Sequence, residues 1–328
     1  MLFRSHSVVC LNEDATLLVA SHDGLRTLSA KRILVTTGAR ELPRSARMVS
    51  GDRPVGVLTT GTLQSTLAFH KMMPFKRPVI VGSELVTLSA VATCLTHGAK
   101  PVAVLEQRPH ALARAPLSWF PSLVGVPFHR GAAIVDIIGN ARVEAVKVRL
   151  GGIVRPLECD GVLFTGEFLP EASLFQTSGL EVDLGSRGPA IDQNGRCANP
   201  LYFAAGNVLR AVETGGWAFR EGRSVGTALA EDLTRGVSTV APVRVHYDTP
   251  LKLVVPNLVR PDEALSRGLR TFQLRFSRIA RGSLRLLADG KEVWQAHGCW
   301  KPERRILVPV AEAIGRAESI RFKFIEEQ

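Results

Sequence analysis

The sequence predicts an α/β fold in which strands and helices alternate, followed by a small β-rich carboxyl-terminal domain. The stretch "PVIVGSELVTLSAVATCLTHGAKPVAVLEQ" is the first observation behind this prediction. It contains a strand at 78–82, a helix at about 84–97 that ends at Gly98, and a second strand at 101–106. This order is a βαβ unit, which builds parallel sheets.

Two further patterns complete the prediction. Residues 162–165 form a fully apolar run, which is typical of a strand buried on both faces. From about Ala241 onward, the segments "FQLRF", "SLRLLAD", "RILVPV" and "SIRFKFIE" alternate with period two, and Asp289-Gly290 forms a turn between them. The carboxyl-terminal region is therefore predicted to be built mainly of strands.

The remaining elements follow from local patterns. Residues 7–10 and 15–20 read as short strands, and "KRILVTTG" as a third. Two alternating strands surround the turn Gly151-Gly152. "LYFAAGNVLR" is a strand that ends in a glycine turn, and "GGWAFREGRSVGTALAEDLTRG" is a helix that begins after Gly215-Gly216 and ends at Gly236.

The composition bounds the class of protein. With 328 residues and 45% hydrophobic content, the chain can bury the cores of two or three domains. No run of 18 apolar residues is present, so we expect neither a membrane span nor a signal peptide, and a cytoplasmic location. The five cysteines lie far apart without a CxxC pair. We therefore expect buried free thiols, with no disulfide framework, zinc site or iron–sulfur cluster.

The net charge of +11 raises the question of a nucleic-acid partner. The positive excess is spread along the chain, and no block of like charges interleaves with aromatic residues. We therefore expect no nucleic-acid partner and interpret the charge as a solvated surface that favours acidic substrates or partners.

Four motifs occur in an order that identifies a family. "ILVTTGARELP", "VIVGSELVTLSA", "CDGVLFTGEFLPEASL" and "LYFAAGNVLRAVETGGWAFREGRSVG" resemble the FAD-dependent pyridine nucleotide-disulfide oxidoreductase superfamily over about residues 5–238. Within it, the chain looks most like flavoprotein subunits of opine and amino-acid oxidases. The resemblance implies a Rossmann-like flavoprotein with two dinucleotide-binding domains. The domains it implies are a first FAD segment at 1–52, an inserted NAD(P)-type domain at 53–155, a second FAD segment at 156–238 and the β-rich domain at 240–328.

The turn "TTG" at residues 36–38 comes unusually early for this family. In the family this turn closes the first FAD segment, after a strand, a GxGxxG motif and a helix that hold the FAD pyrophosphate. The sequence ahead of Ile33 contains no such unit. Two explanations stay open at this point: a truncated or mis-started member, or a partner subunit that supplies the missing half of the FAD site.

The resemblance also assigns residues to the flavin. It places against FAD the residues Thr37, Gly38, Ala39, Arg40, Gly166, Gly206, Asn207, Gly215, Gly216 and Trp217. Asn207 stands where the family usually has Asp, so its amide oxygen would accept from a ribityl hydroxyl without a charge and with lower affinity. The helix after Gly216 would turn its positive end toward the flavin pyrimidine oxygen. Trp217 would either stack on the flavin or belong to a core or interface.

The second dinucleotide site departs from the family pattern. The fingerprint G-x-G-x-x-G reads here Gly82, Glu84 and Thr87. Glu84 would put a carboxylate where the phosphates sit, and we expect its charge to satisfy the helix amino terminus instead. Glu106 lies at the position where ribose hydroxyls are usually recognised, although it equally fits a plain strand end. We therefore expect a weakened or lost NAD(P)H site.

The function predicted from this resemblance is oxidation of a small amine or amino-acid-like substrate by an FAD-dependent oxidoreductase or dehydrogenase subunit. Arg210, Glu213, Arg220 and Arg223 surround the flavin-side turn in sequence. One of these arginines would hold a substrate carboxylate, or the four residues would form surface salt bridges. The sequence singles out no general base and no metal ligand. The alternatives are an NAD(P)H-dependent flavoprotein reductase and a non-catalytic remnant or scaffold subunit.

Overall fold

A computed structural model of the chain describes residues 5–236, 240–261, 268–310, 314 and 316–327. The chain divides into two compact units. Unit 1 comprises residues 1–39 and 169–328, and unit 2 comprises residues 40–168. The boundaries of unit 2 thus lie at 39/40 and 168/169, whereas the sequence suggested 52/53 and 155/156.

A five-stranded parallel sheet and two main helices organise unit 2. The sheet order is β10-β9-β8-β14-β7, and every neighbouring pair is parallel. These strands are β7 (Val57–Thr59), β8 (Pro78–Val81), β9 (Ala103–Glu106), β10 (Phe128–Arg130) and β14 (Gly161–Phe164). The helices are α1 (Thr60–His70), α2 (Leu85–Thr96) and the short α3 (Phe120–Leu123). The predicted βαβ unit is confirmed as β8-α2-β9, and the predicted apolar strand as β14, which lies between β8 and β7 in this sheet.

A second sheet of unit 2 has the order β13-β12-β11-β6. Its strands are β6 (Ser50–Gly51), β11 (Ala132–Ile138), β12 (Ala145–Leu150) and β13 (Ile153–Glu158). Alternate residues of the parallel sheet enter different cores. Val79 and Val162 pack with residues of the second sheet, whereas Ile80 and Leu163 pack with Leu63 of α1 and other residues of the helical layer. Burial on both faces explains why β8 and β14 read as apolar runs.

The first part of unit 1 contains a meander and a parallel strand pair. The antiparallel meander consists of β1 (Ser7–Leu11), β2 (Thr16–Ser21) and β3 (Gly24–Ser29). Strand β4 (Ile33–Val35) pairs in parallel with β16 (Tyr202–Ala204). The helices are α4 (Ser173–Thr177) and α5 (Gly215–Arg235). Strands β5 (Ala39–Glu41) and β15 (Phe168–Pro170) contain the two points where the chain passes between the units.

The rest of unit 1 is a sandwich of two sheets, with orders β19-β17-β24-β21-β22 and β18-β20-β23. The strands are β17 (Val243–Tyr247), β18 (Leu251–Val255), β19 (Leu258–Val259), β20 (Thr271–Phe276), β21 (Ala280–Ala288), β22 (Lys291–Trp300), β23 (Ile306–Pro309) and β24 (Ile320–Glu326). One buried apolar cluster joins them, including Phe272, Leu284 and Phe322. The predicted β-rich carboxyl-terminal region is confirmed.

Candidate functional site

In unit 2, two glycine turns lie next to each other at the carboxyl end of the parallel sheet. Gly82 follows β8 and Gly166 follows β14, and these strands are neighbours. Both glycines have positive φ, +125° and +67°, which favours glycine over any side chain. The hydroxyls of Thr87 and Thr165 lie 2.6 Å apart and connect α2 to the end of β14. This edge of a parallel sheet is where open α/β folds bind ligands.

The Glu84 side chain lies between these two glycine turns. Its Oε2 accepts a hydrogen bond from the Ser83 N–H at 3.1 Å, and a Cβ atom built on Gly166 would overlap the carboxylate. Glu84 is the N-cap residue of α2, but its side chain makes no capping hydrogen bond. The carboxylate predicted to satisfy the helix amino terminus therefore lies at that end of α2 without a capping bond, and it turns toward Gly166. Burial raises the pKa of Glu84, and the nearby Glu106 carboxylate adds to that rise.

Glu106, at the end of β9, is buried with its oxygens already engaged. Oε2 accepts from the Ser83 hydroxyl, and Oε1 accepts from the Arg108 N–H at 2.8 Å. The Arg108 Nη1 atom lies 3.4 Å from the same Oε1. The side chain is 2% exposed. A ribose hydroxyl would have to compete with these donors for the carboxylate.

In unit 1, the early glycine turn forms an open backbone surface. Gly38 has φ +79°, and its carbonyl accepts from the Glu171 N–H at 2.8 Å. The Thr37 hydroxyl donates to the Glu171 carbonyl at 2.6 Å. No atom lies within 4 Å of a Cβ built on Gly38, so the turn has space for a ligand. Ala39 begins β5, whereas Arg40 belongs to unit 2.

The second turn of unit 1 follows β16. The Gly206 N–H donates to Glu221 Oε1 at 2.7 Å, which ties the turn to α5. Asn207 Oδ1 accepts from the Glu213 N–H at 3.1 Å, and Nδ2 donates to the Glu213 carbonyl at 3.4 Å. The amide predicted to accept from a ribityl hydroxyl therefore holds the following loop, with one lone pair of Oδ1 left for a ligand.

A network of buried ion pairs holds the loop between Gly206 and Gly215 in place. Arg210, 1% exposed, donates to Gln273 Oε1 at 2.9 Å and pairs with Glu221. The Glu213 carboxylate accepts from Arg275 at 2.6 Å and from Arg305. Arg210 and Glu213 are thus buried, so the predicted surface salt bridge is wrong for them.

Sequence reasoning missed Glu221, Gln273, Arg275 and Arg305 as partners of the loop. The Arg275 and Arg305 contacts with Glu213 span 62 and 92 residues of sequence. No local pattern contains such a signal. Glu221 is different, because its position on the same helix as Trp217, just after the glycine turn, is a local signal that sequence reasoning could have used.

The amino terminus of α5 is open. Thr214 is its N-cap residue without a side-chain capping bond, and nothing lies within 4 Å of a Cβ built on Gly215 or Gly216. The Trp217 ring lies beside two guanidinium groups, 4.0 Å from that of Arg305 and 5.2 Å from that of Arg220. Its Nε1 atom is buried without a hydrogen-bond partner among the described residues. The open glycines at the start of α5 leave space for a bound group such as a flavin.

The described residues contain no group of three or more histidine, cysteine or acidic side chains placed to hold a metal. Nor does any described helix have the length and apolar character needed to cross a membrane.

Burial raises the pKa of Cys94 to about 12 and that of Cys159 to about 11. All five cysteines are free, but Cys299 is exposed and Cys10 half-buried, so the expectation that all are buried is wrong for these two.

Comparison with known proteins gives a family match over most of the chain. The family model described as "Pyridine nucleotide-disulphide oxidoreductase" matches residues 1–227. Among curated proteins, "Probable ferredoxin reductase CtmF" of Castellaniella defragrans is 29% identical over 184 residues, which is 54% of this chain and 43% of that protein. An opine oxidase subunit of Agrobacterium tumefaciens is 24% identical over 203 residues, which is 56% of this chain and 40% of that protein. The matches thus span less than half the length of these relatives.

Solved structures show the same fold. The thioredoxin reductase of T. acidophilum has a TM-score of 0.57 at 22% identity, covering 70% of this chain and 74% of that one. The ferredoxin reductase for the CYP199A2 system from Rhodopseudomonas palustris has a TM-score of 0.56 at 18% identity, covering 84% and 70%. At these identities the likeness extends to the fold alone.

Proposed function

Because the chain belongs to the pyridine nucleotide-disulphide oxidoreductase family, a family of FAD-dependent oxidoreductases, we propose a specific electron donor for it. The donor is a small amine or amino-acid-like substrate, and the NAD(P)H site of unit 2 is degenerate. The name of one relative, an opine oxidase, supports a donor of this chemistry.

The position of Glu84 carries this proposal. A dinucleotide pyrophosphate needs open backbone between the glycine turns at the end of a parallel sheet. Here a carboxylate lies in that place, against Gly166 and bonded to the Ser83 N–H. Two negative groups about 4 Å apart repel by roughly 4 kcal/mol at an effective dielectric of 20. The engaged Glu106 removes a second element of recognition.

The residues of unit 1 would hold the flavin. FAD supplies the two-electron chemistry when it is bound. Gly38 and Gly206 would let backbone approach the cofactor, and Asn207 would offer one remaining acceptor position. The free N–H groups at the start of α5 would stabilise negative charge on a bound group through the helix dipole.

We further propose that another segment or a partner subunit supplies the pyrophosphate-binding part of the FAD site. In the described chain β4 has a strand partner on one edge, β16. Leu34, in the middle of β4, is 39% exposed, although parallel strands are normally covered on both sides. An open strand edge can pair with a further strand.

An NAD(P)H-dependent flavoprotein reductase is the alternative that one observation favours, since the relative at 29% identity has the name of a reductase. In that case the Glu84 side chain would have to leave the crevice when the dinucleotide binds. A non-catalytic remnant or scaffold is a further alternative, and it predicts that no donor reduces flavin bound to the chain.

The test is titration of the purified chain with FAD, followed by gel filtration and visible absorption of the retained flavin. The chain with its retained flavin is then mixed anaerobically with NADH, with NADPH, or with a panel of secondary amines and amino acids. We expect an amine or amino acid to bleach the flavin faster than either nucleotide. Rapid bleaching by NADH or NADPH would overturn the degenerate site. A chain that retains no flavin requires the additional segment before donors can be compared.

A further inference from the structure

A cavity of about 690 Å³ lies in unit 1 between helix α5 and residues 268–273. Its volume is in the range of small-molecule sites, about 300 to 1,000 Å³. Trp217 lines it, as do polar residues of the next turns of α5, including Ser224 and Thr227. The cavity therefore adjoins the amino-terminal turn of α5.

Three arginines and one acidic residue contribute charge to the lining. Arg220 and Arg223 lie three residues apart on α5, so they share one face of the helix. Neither has a carboxylate or hydrogen-bond partner among the described residues, although Arg220 lies over the Trp217 ring. Arg270 lines the cavity as well. An anion that enters the cavity would find the guanidinium groups of Arg220 and Arg223, for which the described residues provide no acidic partner.

The one acidic residue of the lining cannot neutralise these arginines. Glu221 is 4% exposed, and both of its oxygens are engaged. Oε1 accepts from the Gly206 N–H, and Oε2 pairs with Arg210. The charge of Glu221 is thus balanced by the buried Arg210 guanidinium, and the cavity keeps its positive character.

Gln273 adds a hydrogen-bond donor to the lining of the cavity. It lines the cavity and is only 4% exposed. Its Oε1 accepts from Arg210 Nε at 2.9 Å, which fixes the orientation of the amide. No hydrogen bond to its Nε2 donor is found in the described parts of the chain. The Nε2 group is therefore free to donate to an acceptor that enters the cavity.

We propose that this cavity binds a carboxylate of a small amino-acid-like substrate. Arg220 and Arg223 would pair with the carboxylate, and Gln273 Nε2 would donate to it or to a second acceptor of the ligand. This inference rests on the proposed function and assigns the groups that would bind the carboxylate of that substrate class. It places the charged end of the substrate beside Trp217, next to the turn assigned to the flavin.

The test measures binding of iminodiacetate, a secondary amine with two carboxylates, to the purified full chain by isothermal titration calorimetry. Arg220→Gln and Arg223→Gln are each expected to weaken binding about tenfold, and the double variant about a hundredfold, since a charge-assisted hydrogen bond contributes about 1.5 kcal/mol. Arg155→Gln is the matched control, because Arg155 is an exposed arginine of β13 without a partner among the described residues. It should bind like the wild type. Circular dichroism confirms that the exposed substitutions leave the fold intact.

Two further ligands identify the chemistry. The dimethyl ester of iminodiacetate keeps the amine but lacks the carboxylates, and it is expected not to bind. Inorganic phosphate is the other, and binding of phosphate without iminodiacetate would assign the cavity to a phosphate-bearing ligand and overturn the proposal. Wild-type chain that does not bind iminodiacetate, or a double variant that binds it like the wild type, would overturn it too.

These measurements need no flavin, so they separate this inference from the proposed function. If iminodiacetate binds through the two arginines but no amine reduces the flavin, the carboxylate site holds and the proposed reaction fails. If amines reduce the flavin equally fast in the wild type and the double variant, the reaction holds and the carboxylate site fails.

Discussion

The substitution Glu84→Gly tests the central structural argument directly. It restores the second glycine of the fingerprint and removes the carboxylate that lies between Gly82 and Gly166. The variant is expected to fold, because glycine is nearly as good an N-cap residue as the usual polar ones. Glu84 also makes no capping bond that could be lost.

The size of the effect follows from electrostatics. A carboxylate and a phosphate about 4 Å apart repel by roughly 4 kcal/mol at an effective dielectric of 20. This energy corresponds to about a thousandfold in the dissociation constant. Two features reduce this effect: water partly screens the Glu84 side chain, and the Ser83 hydroxyl still donates a hydrogen bond to the Glu106 carboxylate. We therefore expect NADH to bind about a hundredfold to a thousandfold more tightly to the variant than to the wild type.

The assay is NADH binding to the purified chain, followed by NADH fluorescence and by calorimetry. Glu84→Gln separates charge from space, because it removes the charge and keeps the volume. Glu158→Gln is the control, since Glu158 is an exposed residue of β13 in the same unit. If the wild type already binds NADH as tightly as Glu84→Gly, or if a folded Glu84→Gly gains no affinity, the reasoning about the phosphate position is refuted.

Two further predictions concern stability. Burial raises the pKa of Glu84, so its contribution to the free energy of unfolding is complete below its ordinary pKa of 4.5 and is lost as the pH rises through the folded-state pKa. Urea unfolding should therefore show Glu84→Gln gaining stability over the wild type as the pH rises; a difference independent of pH would contradict this. In unit 1, Glu213→Ala leaves the Arg275 and Arg305 guanidinium groups without their buried partner and should cost about 3 to 5 kcal/mol. Calorimetric melting should show this loss, while Arg278→Gln, which breaks an exposed pair, leaves the melting temperature nearly unchanged; equal melting temperatures would refute the role of the network.

Prediction from sequence was most accurate where the signal is local. The βαβ unit at β8-α2-β9 and strand β14 follow from runs of apolar residues, because both faces of these strands are buried. Helix α1 and strand β22 were not predicted. In β22 the residues alternate between half-buried and exposed, and the mixture of Lys, Glu, Gln and His hides the period of two.

Side-chain directions at the site were less predictable. Sequence placed Glu84 at the amino terminus of α2, which is its position, but its side chain contacts a turn 82 residues later in the chain. Likewise the Asn207 amide holds Glu213, and Arg275 of the sandwich holds the same loop. Such choices depend on which groups from distant segments arrive beside a residue.

The sequence by itself determined the family, the alternation of strands and helices, and the departures from the glycine fingerprint at Glu84 and Thr87. These features depend on residue type and spacing along one segment, which the chain carries wherever it folds. Only the tertiary structure decided that Glu84 fills the crevice, that Arg210 is buried while Arg220 and Arg223 line a cavity, and that Gln273 keeps a donor there without a partner among the described residues. The physical reason is that burial and hydrogen bonding are set by contacts between segments far apart in sequence.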